Sequence, residues 1–203
     1  MKLRIFSWKQ RLALFLALGL GLAVAAPSYG ATGRQGTVEF LYGSYSIGQS
    51  PEPIGTLFTE VYGKAGSIMG LALSSTLVWN FDLYLEVKEI NRTGKLTFTG
   101  EKTTFLLIPI SLGVRYVQPL GFVQPYIGGG LDFYLFYENN PIGSVFNYVR
   151  GSHVLGGTYI QFSKSVPVLL NFRVKYTSAT ATVNERQVQL GGLEYGAGFV
   201  IAF

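Results

Sequence analysis

The end of the sequence, residues 188–203 (VQLGGLEYGAGFVIAF), alternates apolar residues with mostly small or polar ones. Leu193, Tyr195 and alternate positions up to Phe203 are apolar, whereas the positions between them hold Glu194, two glycines, Val200 and Ala202. Alternate residues of a strand point to opposite faces, so this pattern predicts a β-strand with one apolar face. Such a strand is stable only if that face meets a protein core or lipid.

The beginning of the sequence predicts a secretory signal peptide at residues 1–30. Four basic residues precede an apolar run at 12–26, and small residues follow it. That run of 15 residues is shorter than the ~20 that a helix needs to cross a bilayer, and no later run approaches this length. Cleavage after Ala25 or after Gly30 fits equally well, so the predicted site lies between about 25 and 31.

Composition narrows the classes of protein. The predicted signal peptide holds four of the 16 basic residues and none of the 11 acidic ones, which leaves 12 basic against 11 acidic residues. This balance argues against a nucleic-acid partner. The chain has no cysteine, so disulfides and thiol ligands are excluded. An exported chain without a spanning helix can cross a bilayer as a closed barrel.

Eight stretches predict strands, and the connections between them alternate in length. Long segments at 48–66, 93–102, 139–152 and 179–187 are rich in turn-forming residues, and short ones lie at 77–80, 118–121 and 164–167. This rhythm predicts an all-β, eight-stranded antiparallel up-and-down transmembrane barrel over 36–203, with both termini on the periplasmic side. The predicted strands are at about 37–47, 67–76, 81–92, 103–117, 122–138, 153–163, 168–178 and 188–203.

Charges collect on one face of these strands. Enclosed charges are tolerated when they are paired, so this face predicts a structural polar network in the lumen and no metal site. Glu89 is the one charge on the apolar side. The predicted network contains Glu39, Asp82, Glu86, Lys88, Arg115, Asp132, Arg173, Lys175 and Glu194.

A soluble barrel of lipocalin type is the alternative, because its strands also alternate. Its apolar face would point inward and its outer face would be densely charged. Here the polar face carries few charges, and aromatic residues gather at the predicted periplasmic strand ends, as in an interfacial girdle. The membrane barrel is therefore favoured. The predicted girdle contains Trp79, Phe81, Tyr116, Phe122, Phe162 and Phe203.

The predicted turn at 118–121 places Pro109 opposite Gly130. Proline donates no ladder hydrogen bond, and Gly128 and Gly130 add no side-chain bulk. This combination predicts a wall defect or a small cavity at Pro109, Gly128 and Gly130. In the alternative interpretation, side chains such as Arg173 or Tyr159 fill the gap.

The sequence predicts no catalytic site and no cofactor. His153 is the only histidine, and Ser152 is its neighbour. Adjacent strand residues point to opposite faces, so the two are poorly placed as nucleophile and base. His153 is interpreted as a polar residue close to an outer loop.

Taken together, these features resemble the small outer-membrane β-barrel families, among them the OmpA transmembrane domain and the OmpX-like and OmpW-like proteins. The stretches FLLIPISLGVRY (105–116), PYIGGGLDFY (125–134) and the terminal GAGFVIAF carry the resemblance. It implies an outer-membrane location, contact with outer-membrane lipid, and recognition of Phe203 by the barrel-assembly machinery.

The resemblance leaves three functions open. The first is a non-enzymatic structural or surface-display barrel whose outer loops form the interaction surface. The second is an OmpW-like barrel that admits a small apolar ligand for passage or lateral release. The third, least favoured, is a lipid-modifying enzyme.

Overall fold

Alternating apolar residues form long antiparallel strands because each strand satisfies its backbone hydrogen bonds with two neighbours. The computed structural model of the chain contains nine strands and a short helical turn at 60–62 among the residues that it describes. The predicted signal peptide and its cleavage positions lie outside those residues. The structure describes residues 35–48, 60–97, 99–141, 143–163, 166–183 and 186–203.

Eight of the nine strands form the wall of the barrel, and β8 is an accessory strand. The strands are β1 (Gly36–Ile47), β2 (Ala65–Val78), β3 (Phe81–Lys95), β4 (Lys102–Val117), β5 (Val123–Asn140), β6 (Gly143–Gln161), β7 (Val168–Val183), β8 (Arg186–Gln189) and β9 (Gly192–Ala202).

The sheet closes because β9 pairs with strands on both of its sides. Each strand from β1 to β7 pairs antiparallel with the next, and β9 pairs with β7 and with β1. Phe199, for example, lies opposite both Phe40 and Leu170. The predicted eight-stranded antiparallel up-and-down barrel is confirmed. No helix among the described residues is long and apolar enough to cross a membrane.

The two faces of the wall differ sharply in chemistry. Side chains that point outward are apolar and exposed, as at Leu85, Val114 and Phe172, whereas alternate residues such as Glu86, Arg115 and Arg173 are buried inside. Exposed aromatic side chains gather at the end of the barrel that carries the short turns, which we call the lower end. They include Trp79, Phe81, Phe122, Phe162 and Phe203.

Several predicted strand boundaries are wrong; β7, for example, ends at Val183, five residues beyond the predicted end at 178. β6 begins at Gly143, ten residues before the predicted start at 153, because β5 and β6 stay paired up to Asn140 and Gly143. The predicted loop at 139–152 is thus mostly strand. The last predicted strand is interrupted at Leu190 and Gly191, which separate β8 from β9.

The predicted pairing of β4 with β5 is also wrong. Pro109 lies opposite Tyr134, and Gly130 lies opposite Gly113. The turn is centred two residues later than predicted: the Leu120 N–H bonds the Val123 carbonyl at 3.1 Å. Gly121, with φ of 72°, occupies the first central position, where a tight hairpin turn favours glycine.

Pro109 does coincide with a break in the wall, on its other side. The pairing of β3 with β4 runs from Phe81 to Val87 and resumes at Ile90, so Lys88 and Glu89 lie beside Pro109 and Ile108 without forming ladder pairs. The missing proline N–H accounts for the interruption. On the β5 side the pairing is continuous.

Candidate functional site

The interior of the barrel is packed in three levels between the lower end and the opposite, upper end. Near the lower end, aromatic and aliphatic side chains surround Arg115 and Glu39. A polar belt follows, and a second apolar layer closes the upper end. Eight strands enclose a space that side chains can fill, and these side chains fill it. The polar belt consists of Glu86, Lys88, Ser111, Asp132, His153, Arg173, Lys175 and Glu194, all of them buried.

In the polar belt, each of the three cations contacts two carboxylates. Lys88 and Arg173 both bridge Glu86 and Glu194, with 2.6 Å from Lys88 Nζ to Glu86 Oε1 and from Arg173 Nη2 to Glu194 Oε1. Lys175 bridges Glu86 at 3.2 Å and Asp132 at 3.0 Å. Three positive charges thus meet three negative ones, as buried charges require.

His153 also lies in the polar belt, where its side chain is fully buried. Its Nδ1 lies 2.8 Å from Asp132 Oδ2, and its Nε2 contacts the Tyr84 hydroxyl. Both ring nitrogens of His153 therefore have a hydrogen-bond partner inside the barrel. The interpretation of His153 as a residue near a loop is therefore wrong. His153 and Tyr159 are an even number of residues apart on one strand, so their side chains point to the same face. This spacing is the sequence signal that places His153 inside the barrel.

Below the belt, Arg115 occupies a cage of aromatic rings. Its guanidinium carbon lies 5.5, 5.4 and 5.2 Å from the ring centres of Tyr84, Tyr126 and Tyr159. Glu39 pairs with it at 2.7 Å, and Asp82 at 3.4 Å. Cation–π contacts and two carboxylates together compensate the burial of this charge. All nine residues of the predicted lumen network thus lie inside, in two connected groups.

The upper apolar layer is completed by Tyr62, a residue of the predicted first outer loop. Its hydroxyl lies 2.7 Å from Thr103 Oγ1 and 2.8 Å from Glu138 Oε1. Its ring packs 5.5 Å from that of Phe105. Burial raises the pKa of the Tyr62 hydroxyl well above its usual range, so the hydroxyl stays protonated and donates to Glu138. Tyr62 therefore helps to close the upper end of the lumen. The strand pattern could not predict this position, because Tyr62 belongs to the predicted first outer loop.

The two predicted cavity glycines face occupied space. A methyl group at Gly128 would lie 2.6 Å from Arg115 Cβ, and one at Gly130 would lie 2.5 Å from Gly113 Cα. At this depth, the nearest atoms belong to Arg115 and to the main chain of β4. The break in pairing at Pro109 lies away from these glycines, because Pro109 is opposite Tyr134.

Phe203 lies at the lower end, beside the start of β1. Its carbonyl accepts the N–H groups of Gln35 at 2.6 Å and Gly36 at 3.0 Å, and its ring is partly exposed. The last residue of the chain is thus fixed at the seam where β9 meets β1. Among the described residues, no group of three or more acidic or histidine side chains is arranged to hold a metal ion.

At the upper end, β6 extends beyond one of its neighbours. It pairs with β7 only from Gly151, opposite Ala179, to Gln161, whereas its pairing with β5 continues up to Gly143. Beyond Ala179, β7 pairs with β8 on the edge that also pairs with β9, and it forms no ladder pair with β6. The outward-facing Phe146 and Tyr148 of this projecting part are 68% and 59% exposed. The β5–β6 hairpin therefore projects at the described outer rim.

Comparisons with known proteins identify the fold class. No family model and no curated protein sequence matches this chain. Among solved structures it is similar to the outer membrane protein OprG from Pseudomonas aeruginosa, with a TM-score of 0.59 at 15% identity over 84% of this chain and 96% of that one. The fold is that of the small outer-membrane β-barrels.

Two further structures have the same fold. Neisserial surface protein A matches with a TM-score of 0.55 at 14% identity, over 83% of this chain and 97% of that one. Ail, the attachment invasion locus protein of Yersinia pestis, solved in complex with the heparin analogue sucrose octasulfate, matches with a TM-score of 0.53 at 10% identity, over 83% and 99% of the two chains.

Proposed function

We propose that this protein is a non-enzymatic barrel of the bacterial outer membrane that acts through its outer rim. The observation that carries the proposal is the filled lumen: a caged arginine, a charge-balanced polar belt and an apolar layer occupy it in succession. A barrel packed in this way has no internal route for solutes. The apolar outer wall suits lipid contact, which leaves the rim as the surface available to partners.

In this proposal both termini lie on the periplasmic side, and the upper end faces the outside of the cell. The short turns at the lower end support this orientation, because outer-membrane barrels have short periplasmic turns and longer outer loops. The barrel-assembly machinery recognises Phe203, which lies at the closing seam. The complex of Ail with a heparin analogue is a precedent for binding by a barrel of this fold.

The ligand-admitting alternative has one observation in its favour, the interrupted pairing of β3 with β4 at Pro109. No comparable observation among the described residues supports an enzyme, because His153 is hydrogen-bonded to Asp132 and Tyr84 inside the polar belt. The packed space at Gly128 and Gly130 favours the closed barrel over passage of a ligand.

The test is expression with the natural leader in a Gram-negative host, followed by membrane fractionation and recording in planar bilayers. We expect the protein in the outer-membrane fraction, with a gel mobility that changes on boiling. We expect no large, stable conductance from the purified protein, because the lumen is filled. A freely soluble protein with unchanged mobility would contradict the membrane assignment, and a steady conductance would contradict the closed lumen.

A further inference from the structure

Residues 144–150 of β6 have a strand partner on one side only. β5 pairs with them up to the hairpin tip, whereas pairing with β7 stops at Gly151 and Ala179. The continuation of β7 at 180–183 pairs with β8 on its other edge and forms no ladder pair with β6. Among the described strands, none pairs with residues 144–150 on the side away from β5.

The main chain along this edge uses a local substitute for a partner. Asn147 Oδ1 accepts the Tyr148 N–H at 2.8 Å. Alternate residues of an antiparallel strand direct their N–H and C=O groups to the same side. Ser144, Phe146 and Arg150 therefore share the direction of Tyr148, and four residues offer main-chain groups at this edge.

The segment itself also lacks the residue types that usually protect an edge. Natural edge strands are blunted by proline, by lysine or by inward-pointing charges. Residues 144–150 (SVFNYVR) contain no proline and a single charge, Arg150, at the lower end of the segment. Phe146, Tyr148 and Arg150 are all exposed on the outward face.

We propose that residues 144–150 bind an extended segment of a partner protein as an added antiparallel strand. This rests on the proposed function, because the rim must face the outside medium. Main-chain hydrogen bonds provide the affinity, as in other cases of strand addition, and the side chains on the outward face determine which segments bind. The segment should place β-branched residues opposite Phe146 and Tyr148, and a carboxylate opposite Arg150.

The register makes the hydrogen-bond pattern specific. In an antiparallel addition, the first residue of the segment lies opposite Arg150, the third opposite Tyr148 and the fifth opposite Phe146. These residues exchange hydrogen bonds with β6, whereas the N–H groups of the second and fourth point away. Strand addition therefore depends on the N–H groups of the third and fifth residues of the segment and not on those of the second and fourth. Apolar adsorption of the segment does not show this alternation.

The probe is the capped, fluorescently labelled peptide Glu-Thr-Val-Thr-Val-Thr-Thr, titrated onto the purified full-length barrel in detergent. We expect saturable binding. N-methylation at the third and fifth residues should weaken binding at least about tenfold, because two hydrogen bonds are lost. N-methylation at the second and fourth residues should leave binding unchanged. No binding, or an equal effect of both methylated peptides, would overturn the proposal.

A charge exchange tests the register from the protein side. Arg150→Glu should weaken binding of the peptide severalfold, and a peptide that begins with Lys should restore it. Lys102→Glu, at an exposed basic position on β4, is the matched control and should change the binding of neither peptide. Loss of binding in both variants would point to general charge attraction and would overturn the proposed register.

The assay separates this inference from the proposed function. A heat-modifiable barrel in the outer membrane that fails to bind the peptide would overturn strand addition alone. Dimers of the barrel that disappear on Tyr148→Pro would identify a second copy as the occupant of this edge and would also overturn the proposal. The free barrel should therefore sediment as a monomer.

Discussion

The two halves of β6 belong to one continuous strand but have different surroundings. From Gly151 to Gln161 the strand is paired on both sides and carries buried Tyr159, Leu155 and His153 on its inner face. Above Gly151 it is paired on one side and presents aromatic residues to solvent. The comparison indicates that stability in this barrel comes from closure together with a filled lumen, and that the outward-facing residues of the upper half, unlike buried Val149, contribute to neither.

The largest expected effect is Arg173→Met, which removes a cation from the closed half. Glu86 and Glu194 would each lose a buried partner, and such losses cost about 3–5 kcal/mol. Urea titration of the barrel in lipid vesicles measures the free energy of unfolding. Arg150→Met, in the open half of β6, is the control and should change it by less than about 0.5 kcal/mol. Similar losses in both variants would contradict the difference between the halves.

A smaller loss is expected from Tyr84→Phe. Without the hydroxyl, buried His153 Nε2 loses its hydrogen-bond partner, which should cost about 1–3 kcal/mol. Tyr148→Phe, on the exposed face of the rim, removes the same hydroxyl and should be nearly neutral. The same urea titration applies, and a neutral Tyr84→Phe would show that the contact with His153 contributes nothing to stability.

The smallest effect compares two glycines at opposite ends of the barrel. Gly121 at the lower turn has φ of 72°, whereas Gly143 at the rim has no positive φ, and a methyl group at either would meet open space. Gly121→Ala should destabilise the barrel by about 1 kcal/mol through backbone strain alone. Gly143→Ala should cause no loss, and equal midpoints of unfolding for the two variants would contradict the strained turn.

Alternation was sufficient to predict the closed half. Where a strand is enclosed on both faces, the period of two assigns each residue to wall or lumen, and it placed all nine charged residues inside. It failed for His153 only because the predicted strand began at this residue. A residue in the middle of β6 was therefore interpreted as a strand end. Extending the parity of Tyr159 upward would have recovered it.

The rim was less predictable because its strands depend on pairing rather than on composition. Residues 139–152 contain Asn, Gly, Ser and Pro, which are typical of loops, yet residues 139, 140 and 143–152 are strand because each of them pairs across the β5–β6 hairpin. The β4–β5 register failed because Pro119 and Gly121 both signal a turn, and alternation alone does not choose between the two centres. Tyr62 comes from a connecting segment whose return to the lumen depends on tertiary contacts.

The ion pairs of the polar belt also constrain the order in which the chain can fold. Lys88 and Glu194 are 106 residues apart in sequence, and Glu86 is 87 residues from Arg173. No single hairpin can bring these charges together, so they must keep their hydration water until β9 meets β1. Contacts of such long sequence separation form slowly, because chain entropy is lost before they stabilise anything. Assembly should therefore proceed through hairpins with a wet interior and end in one late, cooperative step that expels water as the barrel closes.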